Sequence, residues 1–166
     1  MYGRESLGSK FRQSLIARRI TSFECTAQTC VEFEPETFQQ AAGLVCFYDN
    51  LNFYYLKVTH DEELGKILTA CFNQNNKCTE LFEHQIPLKQ KHCHLKTEIK
   101  NNKMFFSFSF DGKQWQKINY EFDITTLSDE FCTDGCFTGA MVGLCVQDLS
   151  GRRQKADFDY FEYIAK

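Results

Sequence analysis

A chain of 166 residues, 43% hydrophobic and 15% aromatic, can bury one sizeable core and is short for two. Its net charge of -3, with no basic run longer than two residues, leaves no electrostatic footprint for nucleic acid. Its longest apolar-plus-glycine stretch, 139–146, is far below the roughly 20 residues that span a bilayer, so no membrane segment is expected.

In chain order, residues 1–12 read as an N-terminal arm and 14–20 as a short strand. Residues 22–33 alternate cleanly, with Cys25, Ala27, Val31 and Phe33 against Glu24, Thr26, Gln28 and Glu32, which predicts a strand with one dry and one wet face. Glu34-Pro35-Glu36 ends it. Residues 41–48 are almost continuously apolar, as in a central strand covered on both faces. Asp49-Asn50-Leu51-Asn52 turns the chain into a strand over 52–60, with Tyr54, Leu56 and Val58 on one face and Phe53, Tyr55 and Lys57 on the other.

Asp61-Glu62-Glu63 makes the next turn. A strand over 65–72 ends at Asn73-Gln74-Asn75-Asn76. Residues 92–100 alternate again, Asn101-Asn102 turns, and Met104, Phe106, Phe108 and Phe110 line one face opposite Ser107 and Ser109. Asp111-Gly112 is a hairpin signal, and Trp115 follows it. Residues 123–135 lack a period and read as a long loop with one helical turn over 127–131. Residues 137–148 run from a glycine-rich turn into a strand with Val142, Leu144 and Val146 on one face, and 156–163 form an aromatic and acidic closing strand. Ten or more strands with frequent turns and no amphipathic helix predict a single all-β domain over 1–166, an antiparallel sandwich or barrel.

The first ten residues contain no apolar core of a signal peptide, so a cytoplasmic protein is expected. The nine cysteines form no C-x-x-C pair, and reduced, buried thiols are expected. Cys132 and Cys136 are the one pair placed for a local bridge.

Chemistry-bearing residues each have a plain alternative. Asp61, Glu62, Asp129, Glu130, Asp157 and Asp159 include enough carboxylates for glycoside hydrolysis, but most fall in turns and nothing selects two. His92 and His94 share a strand face and could reach one metal, yet no second ligand pair is spaced for it. Asp159 could ligate calcium. No glycine-framed nucleophile motif surrounds any cysteine. No metal or other cofactor is therefore assigned, and no catalytic residue. Phe53, Tyr55 and Trp115 could stack on sugar rings or simply pack. Phe137, flanked by Cys136, Thr138 and Gly139 on a glycine-rich loop tip, is the aromatic best placed to be offered outward.

Several stretches together carry a resemblance: R-E-S-L at 4–7 with Q-S-L-I-A-R-R at 13–19, E-F-E-P-E-T-F-Q-Q-A-A-G-L-V-C-F-Y at 32–48, and N-F-Y-Y-L-K-V-T-H-D-E-E at 52–63. With them go F-S-F-D-G-K-Q-W-Q-K-I at 108–118, F-T-G-A-M-V-G-L-C-V-Q-D-L-S-G at 137–151 and A-D-F-D-Y-F-E-Y at 156–163. The chain resembles the C-terminal concanavalin A-like β-sandwich domain of family 43 β-xylosidases. The resemblance implies a two-sheet jelly roll of the lectin-glucanase type, used in xylan breakdown. In the family it follows a propeller that carries the catalytic carboxylates, and the sandwich closes the propeller's pocket with an aromatic loop residue. By motif position that residue is Phe137.

The partners implied are that catalytic propeller and a xylo-oligosaccharide at the shared pocket. The propeller has no counterpart in this chain, so activity of the chain alone is not expected. An isolated sandwich with a vacant docking face is expected to self-associate as a homo-oligomer. A free-standing carbohydrate-binding module is the alternative reading.

Overall fold

The computed structural model describes residues 1–134 and 138–166. Among them lie thirteen strands: β1 Ser14–Arg19, β2 Cys25–Glu32, β3 Gln40–Asp49, β4 Asn52–Asp61, β5 Gly65–Gln74, β6 Lys77–Glu80, β7 Ile86–Pro87, β8 His92–Lys100, β9 Lys103–Ser109, β10 Gln116–Lys117, β11 Phe122–Asp123, β12 Met141–Asp148 and β13 Asp157–Ala165. They form two antiparallel sheets. The larger runs β1-β12-β3-β4-β5-β6, with β7 also on β5; the smaller runs β10-β9-β8-β2-β13, with β11 also on β9. This is the expected two-sheet sandwich.

The period-two pattern accounts for the packing. Cys25, Ala27 and Val31 of β2 and Leu95 and Ile99 of β8 face Leu44, Cys46, Leu56, Val58, Val142, Leu144 and Val146 of the larger sheet in one apolar interior. Met104, Phe106 and Phe108 join them from β9. Every residue of β3 is buried, as its unbroken apolar run predicts for a strand covered on both sides. Glycines permit close approach within that sheet: a Cβ on Gly43 would lie 2.0 Å from the Leu56 carbonyl oxygen, and one on Gly143 would lie 2.1 Å from that of Ile16.

The turns explain several boundaries. Asn75 and Asn76 (φ 47° and 65°) and Asn101 and Asn102 (φ 52° and 61°) form tight hairpins with both central residues left-handed, a conformation asparagine tolerates. The first hairpin lets β5 run on to Gln74 and pair with β6, a strand the sequence did not announce. Its four residues lie on an exposed edge and carry no apolar period. Asp111 Oδ1 accepts the amides of Lys113 and Gln114 at 2.8 Å each, so the link from β9 to β10 is longer than a two-residue hairpin. The single helical turn of the long loop falls at Ile124–Thr126, before the expected 127–131, because Asp123 Oδ1 caps it by accepting the Thr125 amide at 2.9 Å.

The N-terminal arm is part of the fold. The Met1 amino group donates to the Ala156 carbonyl, the Gly3 amide to that of Gln154, and the Asp148 amide to that of Arg4. Leu7 is buried against Ala41, Val45, Phe47, Phe53, Tyr55, Cys71 and Cys145 on the outer face of the larger sheet. On the same sheet, Lys57 Nζ meets Glu80 Oε1 at 2.6 Å and ties β4 to the edge strand β6.

Candidate functional site

The long loop before β12 closes one end of the sandwich and is held at both of its ends. On the leading side, Leu127 and Cys132 are buried in the interior. The Cys132 thiol donates to the Thr126 carbonyl at 3.8 Å. The Tyr48 hydroxyl donates to Asp129, and the Tyr54 hydroxyl donates to the Asp123 carbonyl at 2.7 Å while also touching Thr126 Oγ1. Asn75 reaches up from the β5–β6 hairpin. Its Oδ1 accepts the Thr133 amide at 3.2 Å, and its Nδ2 donates to the Phe131 carbonyl at 3.2 Å.

On the trailing side, Thr138 Oγ1 donates to the Tyr48 carbonyl at 3.0 Å, and the Ile20 amide donates to the Ala140 carbonyl at 2.9 Å. Gly139 has φ +73°, a backbone that favours glycine, and a Cβ there would lie 2.6 Å from Arg19 Nη1, the movable end of that side chain. Lys10, at the tip of the arm, meets Asp134 at 3.5 Å. Phe137 and Cys136 lie outside the described residues, as does the bridge considered for Cys132. Their neighbours Thr138 and Gly139 are anchored as stated.

The other candidates separate. Phe53 and Tyr55 are buried under the arm, and the Tyr55 hydroxyl donates to the Cys145 carbonyl at 2.9 Å. Trp115 is half-buried on the outer face of the smaller sheet, with Lys96 Nζ 3.9 Å from its ring centre. His92 and His94 do share a face, with ring centres 6.0 Å apart. His94 Nδ1 lies 3.2 Å from the Tyr160 hydroxyl. Burial and the neighbouring His92 hold its pKa below the usual histidine range. Among the described residues, no three His, Cys, Asp or Glu side chains converge as a metal site.

The carboxylates serve the fold. Asp61 caps its turn by accepting the Glu63 and Leu64 amides, Asp129 accepts from Tyr48, and Asp157 pairs with Lys155. Asp159 is exposed beside Cys30, whose thiol is pushed up to about 11 by burial and then by that carboxylate. Burial pushes the thiols of Cys46, Cys71, Cys93 and Cys145 up to about 12, which makes them poor nucleophiles at neutral pH. The arrangement presents a braced loop, and the carboxylates just named are engaged in turns, hydrogen bonds and ion pairs or lie exposed.

Two features escaped sequence reading. The Lys57–Glu80 pair depends on β6, which was not foreseen. The Lys10–Asp134 contact joins residues far apart in the chain, and neither has a local signal.

The family description "Beta xylosidase C-terminal Concanavalin A-like domain" matches residues 1–164. The β-xylosidase of Bacillus subtilis is 43% identical over 169 residues, covering 100% of this chain and 32% of the relative. A Vibrio xylan 1,3-β-xylosidase is 34% identical, covering 98% of this chain and 30% of its own. Among solved structures, the xylan β-1,4-xylosidase of Bacillus halodurans superposes with a TM-score of 0.94 at 42% identity, covering 98% of this chain and 32% of that one. The chain thus spans about a third of the length of the relatives it matches. The sandwich fold and the whole-chain match agree: the chain belongs to the C-terminal concanavalin A-like domain family of family 43 β-xylosidases.

Proposed function

We propose that this domain is the accessory part of a β-xylosidase- or arabinofuranosidase-type hydrolase, packing on a catalytic propeller and closing its sugar pocket with Phe137. The observation that carries this reading is the bracing of the loop on both sides of Phe137. Thr138 is fixed to Tyr48, the Ile20 amide holds the Ala140 carbonyl, and Asn75 holds Thr133. A loop held so firmly can place one aromatic residue reproducibly at a partner's surface. Phe137 would form an apolar wall for the end of a short xylo-oligosaccharide, and the bond-breaking carboxylates would belong to the propeller. Burying one phenylalanine there would contribute roughly 1.5–3 kcal/mol.

The separately exposed rings of Phe11 (88%) and Phe23 (93%) are apolar surface that a docked partner would cover and that would promote self-association when left open. The buried thiols of Cys46, Cys71, Cys93 and Cys145 fit a reducing compartment, the cytoplasm.

The test mixes this chain with the separately expressed catalytic part of the Bacillus subtilis relative and follows aryl-xyloside hydrolysis. The chain alone should be inactive, the mixture should exceed the catalytic part alone, and Phe137→Ala should lower kcat/KM of the mixture by about tenfold. Hydrolysis by the chain alone, or a mixture no better than the catalytic part, would overturn the reading.

A further inference from the structure

The outer face of the smaller sheet carries an arrangement that packing does not require. Register places Lys96 of β8 and Lys117 of β10 directly opposite Ser107 of β9, one on each side, so all three share the outward face. Each lysine leans onto an aromatic ring. Lys96 Nζ lies 3.9 Å from the centre of the Trp115 ring, and Lys117 Nζ lies 3.7 Å from that of Phe105. Phe105 sits two residues before Ser107, while Trp115 precedes β10 at its other end. The two rings therefore flank the lysine pair from opposite directions along the strands. A shallow hollow of about 310 Å³ continues from Phe105 and Lys117 past Ile118 to Tyr120.

Neither ammonium group has a carboxylate partner among the described ion pairs. The nearby Glu98 is instead paired with Lys166. Burial holds the pKa of Lys96 below the usual lysine range, as expected of an ammonium with too little compensation. Ring faces that attract an ammonium also attract the polarised C–H face of a sugar. Once displaced from the rings, the two ammonium groups would stand beside the sugar with their charges unmatched.

We propose that Trp115, Phe105, Lys96 and Lys117 form a second carbohydrate-binding platform, whose ligand is a xylan chain bearing uronic acid substituents. The rings stack on backbone sugars and the lysines pair with the uronate carboxylate. Trp115 and Phe105 lie on opposite sides of Ser107, which leaves room for a short run of sugar rings rather than a single one. The choice of xylan among acidic polysaccharides rests on the family assignment; the platform itself does not depend on Phe137 or on docking to a catalytic domain. Its place on an exposed strand face would let the domain hold polymer while the braced loop serves the pocket.

The experiment is affinity electrophoresis and calorimetry of the whole 166-residue chain. The probes are glucuronoxylan, the same polymer with its carboxyl groups reduced to alcohols, and polygalacturonate. Glucuronoxylan should bind, and carboxyl reduction should weaken binding about tenfold. Trp115→Ala should abolish binding to both xylans. Lys96→Gln with Lys117→Gln should erase the preference for the acidic form, and Phe38→Ala, an exposed aromatic outside this platform, should change nothing. Far-ultraviolet circular dichroism verifies that each variant is folded, and Phe105→Ala provides an independent loss if Trp115→Ala is not. No binding of glucuronoxylan overturns the proposal, as does binding unaffected by Trp115→Ala and Phe105→Ala. Equal binding of polygalacturonate means charge attraction alone and overturns it too. Because the pocket reading is tested by Phe137→Ala in hydrolysis, the two can fail separately.

Discussion

The two sheets turn opposite kinds of face outward. The outer face of the larger sheet is a second small core: Val45, Phe47, Phe53, Tyr55, Cys71 and Cys145 are buried there with Leu7 of the arm. The outer face of the smaller sheet is polar and open, with Lys96, Trp115, His94 and Tyr160 partly or wholly exposed. The interior between the sheets needs only one apolar face from each. The extra apolar face of the larger sheet is therefore committed to holding the arm, and the smaller sheet keeps its outer face free for ligands.

Truncating a ring on each face should give the largest contrast. Tyr55 is 1% exposed and spans from β4 to the Cys145 carbonyl. Tyr55→Ala should cost about 3–5 kcal/mol in urea unfolding, through the cavity and the unmatched carbonyl. Phe105→Ala, on the open face, should cost less than about 1 kcal/mol. Equal costs would mean that the open face is as tightly packed as the covered one.

The buried ion pair comes next. Burial works against the Lys57 ammonium, but Cys71 and the Glu80 carboxylate outweigh it and leave its pKa raised. Glu80→Gln strands that buried ammonium and should cost about 2 kcal/mol, reduced from a fully buried case because Glu80 reaches partly into solvent. A raised pKa means the pair's contribution is complete below the unfolded-state value, about 10.4. It is lost as pH rises through the higher folded value. Wild type should therefore lose stability in strong alkali, and the Glu80→Gln variant should lose less of it. Thermal melts from neutral to alkaline pH would measure both effects.

The same contrast governs what could be read from the sequence. Strands β3, β4, β8, β9 and β12 were legible because their apolar periods reflect burial on one face or on both. Strand β6 was not, since an exposed edge of four residues leaves no periodic mark and its pairing is set by the Asn75-Asn76 turn. The loop before β12 was legible only as a loop. Its braces come from Asn75, Tyr48 and Ile20, residues distant in sequence that look unremarkable until the fold brings them together. Trp115 was noticed, but its lysine neighbour lies across the sheet and follows only from register. The N-terminal arm was recognised as an arm, but its burial of Leu7 was not foreseen, because residues 1–12 carry no periodic pattern that marks a covered apolar residue.

The smallest expected effect compares two copies of one turn. Asn75-Asn76 and Asn101-Asn102 share left-handed backbone geometry, one in each sheet. Asn75 also uses its side chain, accepting from Thr133 and donating to Phe131, whereas no hydrogen bond from the Asn101 side chain is present among the described residues. Glycine suits both backbones but keeps neither side chain. Asn101→Gly should stay within about 0.5 kcal/mol of wild type, relief of the left-handed asparagine offsetting the freer unfolded chain. Asn75→Gly should cost about 1 kcal/mol more, because it removes the hydrogen bonds that tie the loop to the hairpin. Hydrogen exchange at the Thr133 amide should quicken in the Asn75 variant and stay unchanged in the Asn101 variant. If both variants left that amide equally protected, the brace would lie elsewhere, in the Thr138–Tyr48 bond on the loop's trailing side.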